Sequence, residues 1–202
     1  MNQVPESKNV AARAESASKI YGSGENEVRA LDNVTVSFER GKFSAIMGPS
    51  GSGKSTLMHS LAGLDAITSG KVFIGDVDLS TLNDKEITKL RREKVGFVFQ
   101  SFNLIPTLDA YENITLPLSL GKRGGDETWI TKVINTISLA DRLEHRPSEL
   151  SGGQQQRVAV ARALATRPEI ISPTNRPATS TRSRALTSSP SCAGQSPNSG
   201  KP

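Results

Sequence analysis

The chain has 202 residues, enough for one domain and a tail, and its formal charge of +5 is unevenly spread: residues 172–202 carry Arg176, Arg182, Arg184 and Lys201 with no acidic residue, leaving residues 1–171 at +1. That distribution describes a basic tail rather than a basic face, and no aromatic interleaves those arginines, so a nucleic-acid partner is not expected. The single cysteine, Cys192, excludes an intrachain disulfide framework and favours a reducing cytoplasmic home, no apolar run reaches membrane-spanning length, and the polar start lacks the apolar segment of a secretion signal.

In chain order, residues 1–17 read as a polar N-terminal extension. Val34, Val36 and Phe38 alternate as a half-buried strand, residues 39–42 turn, and FSAIM at 43–47 predicts a short apolar strand. A glycine-rich loop follows, and then Leu57, Leu61 and Leu64 recur at helical spacing. Asn83 and Glu86 have the spacing of a capping box for a helix carrying Ile87 and Leu90, and KVGFVFQ at 94–100 reads as another strand. From 126 a helix places Ile130, Val133, Ile134 and Ile137 on one face. A last helix after 153 buries Val158, Ala161, Leu164 and Ala165. Strands alternating with helices predict a mainly parallel sheet with crossover helices.

The strongest chemical signal is GPSGSGKST, comprising Gly48, Pro49, Ser50, Gly51, Ser52, Gly53, Lys54, Ser55 and Thr56. It satisfies G-x-x-x-x-G-K-[ST] between a predicted strand and a predicted helix. Glycines let successive amide N–H groups turn inward around phosphate oxygens, and the helix N-terminus favours the same charge. Lys54 would reach the β- and γ-phosphates of ATP, and the Ser55 hydroxyl would ligate Mg²⁺.

A second motif, LSGGQQQR, lies just before the last helix and contains Leu150, Ser151, Gly152, Gly153 and Gln154. It resembles the signature sequence of ABC-transporter ATPases. Gln100, ending KVGFVFQ, stands where that family has its Q-loop glutamine, a second metal contact, and Tyr21 in KIYG stands where it has an adenine-stacking aromatic. The wording of GPSGSGKSTLMHSLAGLD and FVFQSFNLIPTLDAYENI is most similar to the lipoprotein-release and macrolide-export branch.

The resemblance covers about residues 18–171 and implies a P-loop α/β ATPase domain with a helical subdomain over about 101–165. It also implies a head-to-tail pair of ATP-binding subunits, in which the signature of one closes over the ATP of the other, and a membrane permease that the pair drives from the cytoplasmic face. Hydrolysis in this family uses an aspartate for Mg²⁺ and a glutamate that activates water, both at the end of the strand after the signature helix.

That strand begins at Glu169-Ile170-Ile171, but the chain continues SPTNRPATST where D-E-P-T-G-N-L-D is expected, and no acidic residue follows Glu169. The family's switch histidine is missing too, since His59 and His145 both precede this strand. The catalytic set is therefore not intact. Ser172 to Thr181 can be encoded as TCG CCG ACG AAC CGA CCG GCA ACC TCG ACA, and reading on after the first two bases gives A-D-E-P-T-G-N-L-D. A frameshift near Ser172 would account for the tail, in which Ser, Thr and Pro supply 17 of 31 residues; an evolved disordered extension is the alternative. The family function expected is that of an ATPase powering a permease. For the chain as it stands, a non-hydrolysing half whose signature completes a partner's site is the other reading.

Overall fold

A computed structural model describes residues 9–121 and 125–174. The readings made on residues 1–8 and on the basic tail beyond 174, including Cys192, lie outside the described residues.

The first strand, β1 (Val10–Tyr21), pairs antiparallel with β2 (Val28–Glu39), and β3 (Ser69–Ile74) pairs antiparallel with the other edge of β1. A short β4 (Val77–Asp78) completes a four-stranded sheet ordered β2-β1-β3-β4. The strand expected around Val34, Val36 and Phe38 is therefore present as part of β2. The boundary drawn at residue 18 falls inside β1, so residues 10–17 belong to the sheet rather than to an extension. Alanine hid this strand: Ala11, Ala12, Ala14 and Ala17 are all buried, although alanine is depleted in strands and makes no recognisable apolar alternation. The polar residues between them face the other way, with Arg13 bonded to Glu15 at 2.8 Å and stacked 3.7 Å over the Phe73 ring.

Helix α1 (Lys54–Leu61) buries Leu57 and Leu61 against this sheet. Helix α2 (Asp84–Lys94) begins with the expected capping box: Asn83 Oδ1 accepts from Lys85 and Glu86 N–H, and the Asn83 N–H donates to Glu86 Oε2. It adds buried Leu90 to the same core. Strand β5 (Val95–Phe99) then pairs in parallel with β6 (Ile170–Thr174), in the register Val95 to Ile170 through Phe99 to Thr174. The parallel part of the expected fold is thus represented by these two strands, beside an antiparallel sheet.

A second core is helical. Helices α3 (Ala110–Gly121), α4 (Glu127–Thr136) and α5 (Gly152–Leu164) enclose Ile114, Ile130, Val133, Ile134, Leu139, Leu150 and Val158. The loop entering α3 is locked by Asn113, which is wholly buried: its Oδ1 accepts from Ile105 N–H and its Nδ2 donates to the carbonyls of Ile105, Leu108 and Asp109. Four bonds from one amide leave this stretch few alternatives.

The FSAIM reading needs correction, because residues 42–49 belong to no strand. Ile46 packs on the first core, yet Phe43 is 98% exposed and Met47 87% exposed. A strand is defined by neighbours that pair its N–H and C=O groups, and no described segment supplies them here. Beyond Ile171 the sequence has no alternating apolar run to do so. Exposed apolar side chains on unpaired backbone favour intermolecular association. Replacing both Phe43 and Met47 by Ser should leave thermal stability within about 0.5 kcal/mol, as for other exposed positions. Light scattering of the purified chain should fall severalfold, and unchanged scattering would show that these residues do not drive association.

Candidate functional site

The glycine-rich loop enters α1 through Gly53, whose φ of 82° and ψ of 2° are left-handed. A Cβ at this position would lie 2.2 Å from the Ala30 carbonyl oxygen and 3.2 Å from Leu31 Cδ2. The loop is thus pressed backbone to backbone onto β2, and only glycine meets both the angle and the space. Immediately afterwards α1 begins, and its first intrahelical bond is Leu57 N–H to Gly53 O at 2.8 Å. The amides of Lys54 and Ser55 therefore stand at an open helix N-terminus, the arrangement that attracts anions. The Lys54 ammonium folds back over the loop, donating to Pro49 O at 2.5 Å and Ser52 Oγ at 3.2 Å. It holds a positive charge beside those amides. Ser55 is exposed on the first turn of α1, next to Lys54.

Tyr21 ends β1 opposite Val28, two residues before the Ala30 that Gly53 touches. The loop and the tyrosine consequently share one end of the β1–β2 hairpin. Tyr21 is 40% exposed, and its hydroxyl donates to Asp65 Oδ2 at 2.5 Å. The same carboxylate accepts from Lys19 at 2.8 Å, and the Lys19 ammonium lies 4.7 Å from the tyrosine ring centroid. The ring is held as a fixed plate with the Lys19 ammonium beside it. Asp65 and Lys19 were not singled out in the sequence, because an aspartate just past a helix and a lysine in a polar strand have no pattern of their own.

Gln100 is exposed in the turn directly after β5. It is joined to the loop through the first core, since Phe97 of β5 and Ile170 of β6 pack there with α1. The signature residues sit apart from this group, on the second core. Ser151 is the N-cap of α5: its Oγ accepts from Gln154 N–H at 3.3 Å, and its own N–H donates to Gln154 Oε1 at 2.7 Å. Leu150 is buried as the anchor, whereas a Cβ on Gly152 or Gly153 would meet nothing within 4 Å. The result is a bare, capped helix N-terminus facing outward.

In β6 the register puts Ser172 opposite Phe97 and Pro173 opposite Val98. The last acidic residue, Glu169, lies at the start of β6 and pairs with both Arg40 and Lys94. Among the described residues, no group of three or more His, Cys, Asp or Glu is placed to hold a metal.

The family model for ABC transporters matches residues 31–172. The chain belongs to the ABC transporter ATP-binding family. It is 47% identical over 165 residues to the ABC transporter ATP-binding protein MJ0796 of Methanocaldococcus jannaschii, covering 79% of this chain and 70% of that one. It is 41% identical over 174 residues to the lipoprotein-releasing system ATP-binding protein LolD of Xanthomonas euvesicatoria, covering 84% and 70%. The macrolide export ATP-binding/permease protein MacB of Bdellovibrio bacteriovorus is 44% identical over 153 residues, but there the chain spans only 24% of the relative. Among solved structures, the dimeric post-hydrolysis state of MJ0796 bound to ADP and Pi superposes with a TM-score of 0.67 at 46% identity, over 79% of this chain and 72% of that one. The chain has the ABC ATPase fold and is an ATP-binding subunit of a transport system, and ATP hydrolysis is general in its family.

Two glycine substitutions separate the packed loop from the bare helix end. Gly53→Ala should cost about 1–3 kcal/mol from its backbone angle alone, and more from the contact with Ala30, with loss of any thermal shift produced by ATP. Gly152→Ala, in open space, should stay within about 0.5 kcal/mol of the parent. Thermal melts with and without ATP check both.

Proposed function

We propose that the chain binds ATP through Gly48 to Thr56, with Tyr21 beneath the adenine and Lys54 on the β- and γ-phosphates. The observation that carries this reading is the Gly53 junction, which fixes an anion-attracting helix start with Lys54 folded beside it. Mg²⁺ suits Ser55 of this stretch and Gln100 of the turn after β5, which offer two neutral oxygens to a cation that keeps water and takes most of its ligands from phosphates. When bound, Mg²⁺ neutralises phosphate charge; the residues of this chain orient the phosphates and hold the loop against β2.

The same reading gives Ser151, Gly152, Gly153 and Gln154 a role toward a second ATP-binding subunit. Their helix start would donate to the γ-phosphate held by the partner, and Leu150 would keep the helix seated. Two subunits in that arrangement, identical or not, would sit on the cytoplasmic face of a membrane permease. Among the described residues no helix is long and apolar enough to cross a membrane, so contact with the bilayer would come through that permease.

For the chain as it stands the proposal is binding without turnover. The sequence has no acidic residue after Glu169, and Glu169 itself is engaged by Arg40 and Lys94. General-base activation of water needs a carboxylate within reach of the attacking oxygen. A frameshift near Ser172 supplies the reason: the intact frame would encode the hydrolysing subunit that powers transport.

Lys54→Ala should abolish binding of radiolabelled ATP, and the parent chain should bind ATP yet release no phosphate above background with Mg²⁺. Unchanged affinity in Lys54→Ala would remove the loop assignment. A Lys54-dependent steady-state turnover would show that another residue activates water.

A further inference from the structure

The turn after Gln100 contains two consecutive non-glycine residues with left-handed backbones, Phe102 at φ 59° and Asn103 at φ 46°. Such a pair is unfavourable unless its surroundings dictate it. Local bonds, Phe102 N–H to Phe99 O and Asn103 N–H to Ser101 O, tighten the turn. Both carbonyls are taken by one side chain: Arg162 Nη2 donates to Phe102 O at 2.6 Å and Nη1 donates to Asn103 O at 2.7 Å.

Arg162 belongs to α5, the helix whose start is the signature. It stands among buried alanines, Ala161 and Ala163, and burial pushes its guanidinium below the usual range. No carboxylate pairs with it among the described residues. A desolvated cation held only by two backbone carbonyls is an uncommon use of arginine, and it exploits the planar fork that spans two acceptors. The next residue fixes the same contact by a different means. A Cβ on Gly96 of β5 would lie 2.4 Å from Ala163 O, so α5 lies directly against the strand that leads into the Gln100 turn.

We propose that Arg162 is a positioning residue that fixes the placement of Gln100 by holding the Phe102–Asn103 turn, so that the metal contact of the nucleotide site depends on where the signature helix lies. This inference rests on the reading of Gln100 as a ligand of nucleotide-bound Mg²⁺. Arg162 touches neither nucleotide nor metal. Its contribution is to keep two strained residues in one conformation and tie them to α5.

The test compares the full chain with Arg162→Ala, Arg162→Lys, Gln100→Ala and Lys54→Ala, measuring ATP affinity by equilibrium dialysis in EDTA and across a Mg²⁺ titration. Folding of α5 is followed in each by the emission of Trp129, the only tryptophan, whose Nε1 donates to Leu164 O at 3.0 Å. In both Arg162 variants the Mg²⁺ concentration needed for half of the affinity gain should rise roughly tenfold or more, as for residues that orient a metal ligand. Gln100→Ala should show the same change, with metal-free ATP affinity within about twofold and native Trp129 emission. Lysine should not rescue, since one ammonium cannot reproduce the fork. An unaltered Mg²⁺ response in Arg162→Lys overturns the proposal, and so does loss of native Trp129 emission in both Arg162 variants, which would make the role purely structural. The underlying reading fails separately: in Lys54→Ala with normal ATP affinity, in a parent chain that binds no ATP, or in a Gln100→Ala variant with a normal Mg²⁺ response.

Discussion

The contact of Gly53 with the Ala30 carbonyl is the constraint from which the site follows. Because the loop meets β2 with no side chain between, α1 starts at a fixed place over the sheet, and its open amides and Lys54 are set in one direction. Tyr21 is carried to the same place by the pairing of β1 with β2, and Asp65 fixes its hydroxyl from just beyond the end of α1. One backbone contact therefore coordinates three pieces of sequence that lie far apart along the chain. A methyl group at residue 53 would disturb all of them at once.

The signature obeys a different constraint. Its residues need to be exposed, capped and rigid, and these properties come from the second core: buried Leu150 and Val158 seat α5, while Ser151 and Gln154 satisfy each other's backbone groups. The two cores meet where α5 lies on β5, through Gly96 and Ala163, and where Arg162 grips the turn beyond Gln100. The chain thus has a sheet core that carries the glycine-rich loop and a helical core that carries the LSGGQ helix, joined at a small, polar and strained junction. The sequence has no alternating apolar run after Ile171, and among the described residues the 42–49 segment belongs to no strand, with Phe43 and Met47 in solvent.

Much of this was legible in the sequence where local pattern decides structure. The capping box at Asn83 and Glu86, the apolar face of α4 and the strand just before Gln100 all depend on residues close along the chain. Two elements differ from their local pattern because they depend on distant neighbours. The stretch 43–47 has the composition of a strand, but composition cannot supply the flanking strands that would make it one. The segment 10–17 looks like a solvated extension, yet its alanines are buried in the sheet, where small side chains leave no recognisable apolar alternation. In the site, Gly53, Lys54 and Ser151 announced themselves by motif. Arg162 did not, although an arginine between buried alanines is itself a sign that the cation has a fixed acceptor.

The proposed pair of half-sites in one chain, an ATP-binding loop on the first core and a partner-facing signature on the second, dictates which backbone amides ATP protects. Hydrogen–deuterium exchange on the full chain, with and without MgATP across a range of protein concentration, tests it most directly. ATP should slow exchange in peptides covering 48–57 at every protein concentration, and in peptides covering 151–155 only where subunits associate. Protection absent from 48–57, or present at 151–155 in the monomer, would contradict the claim.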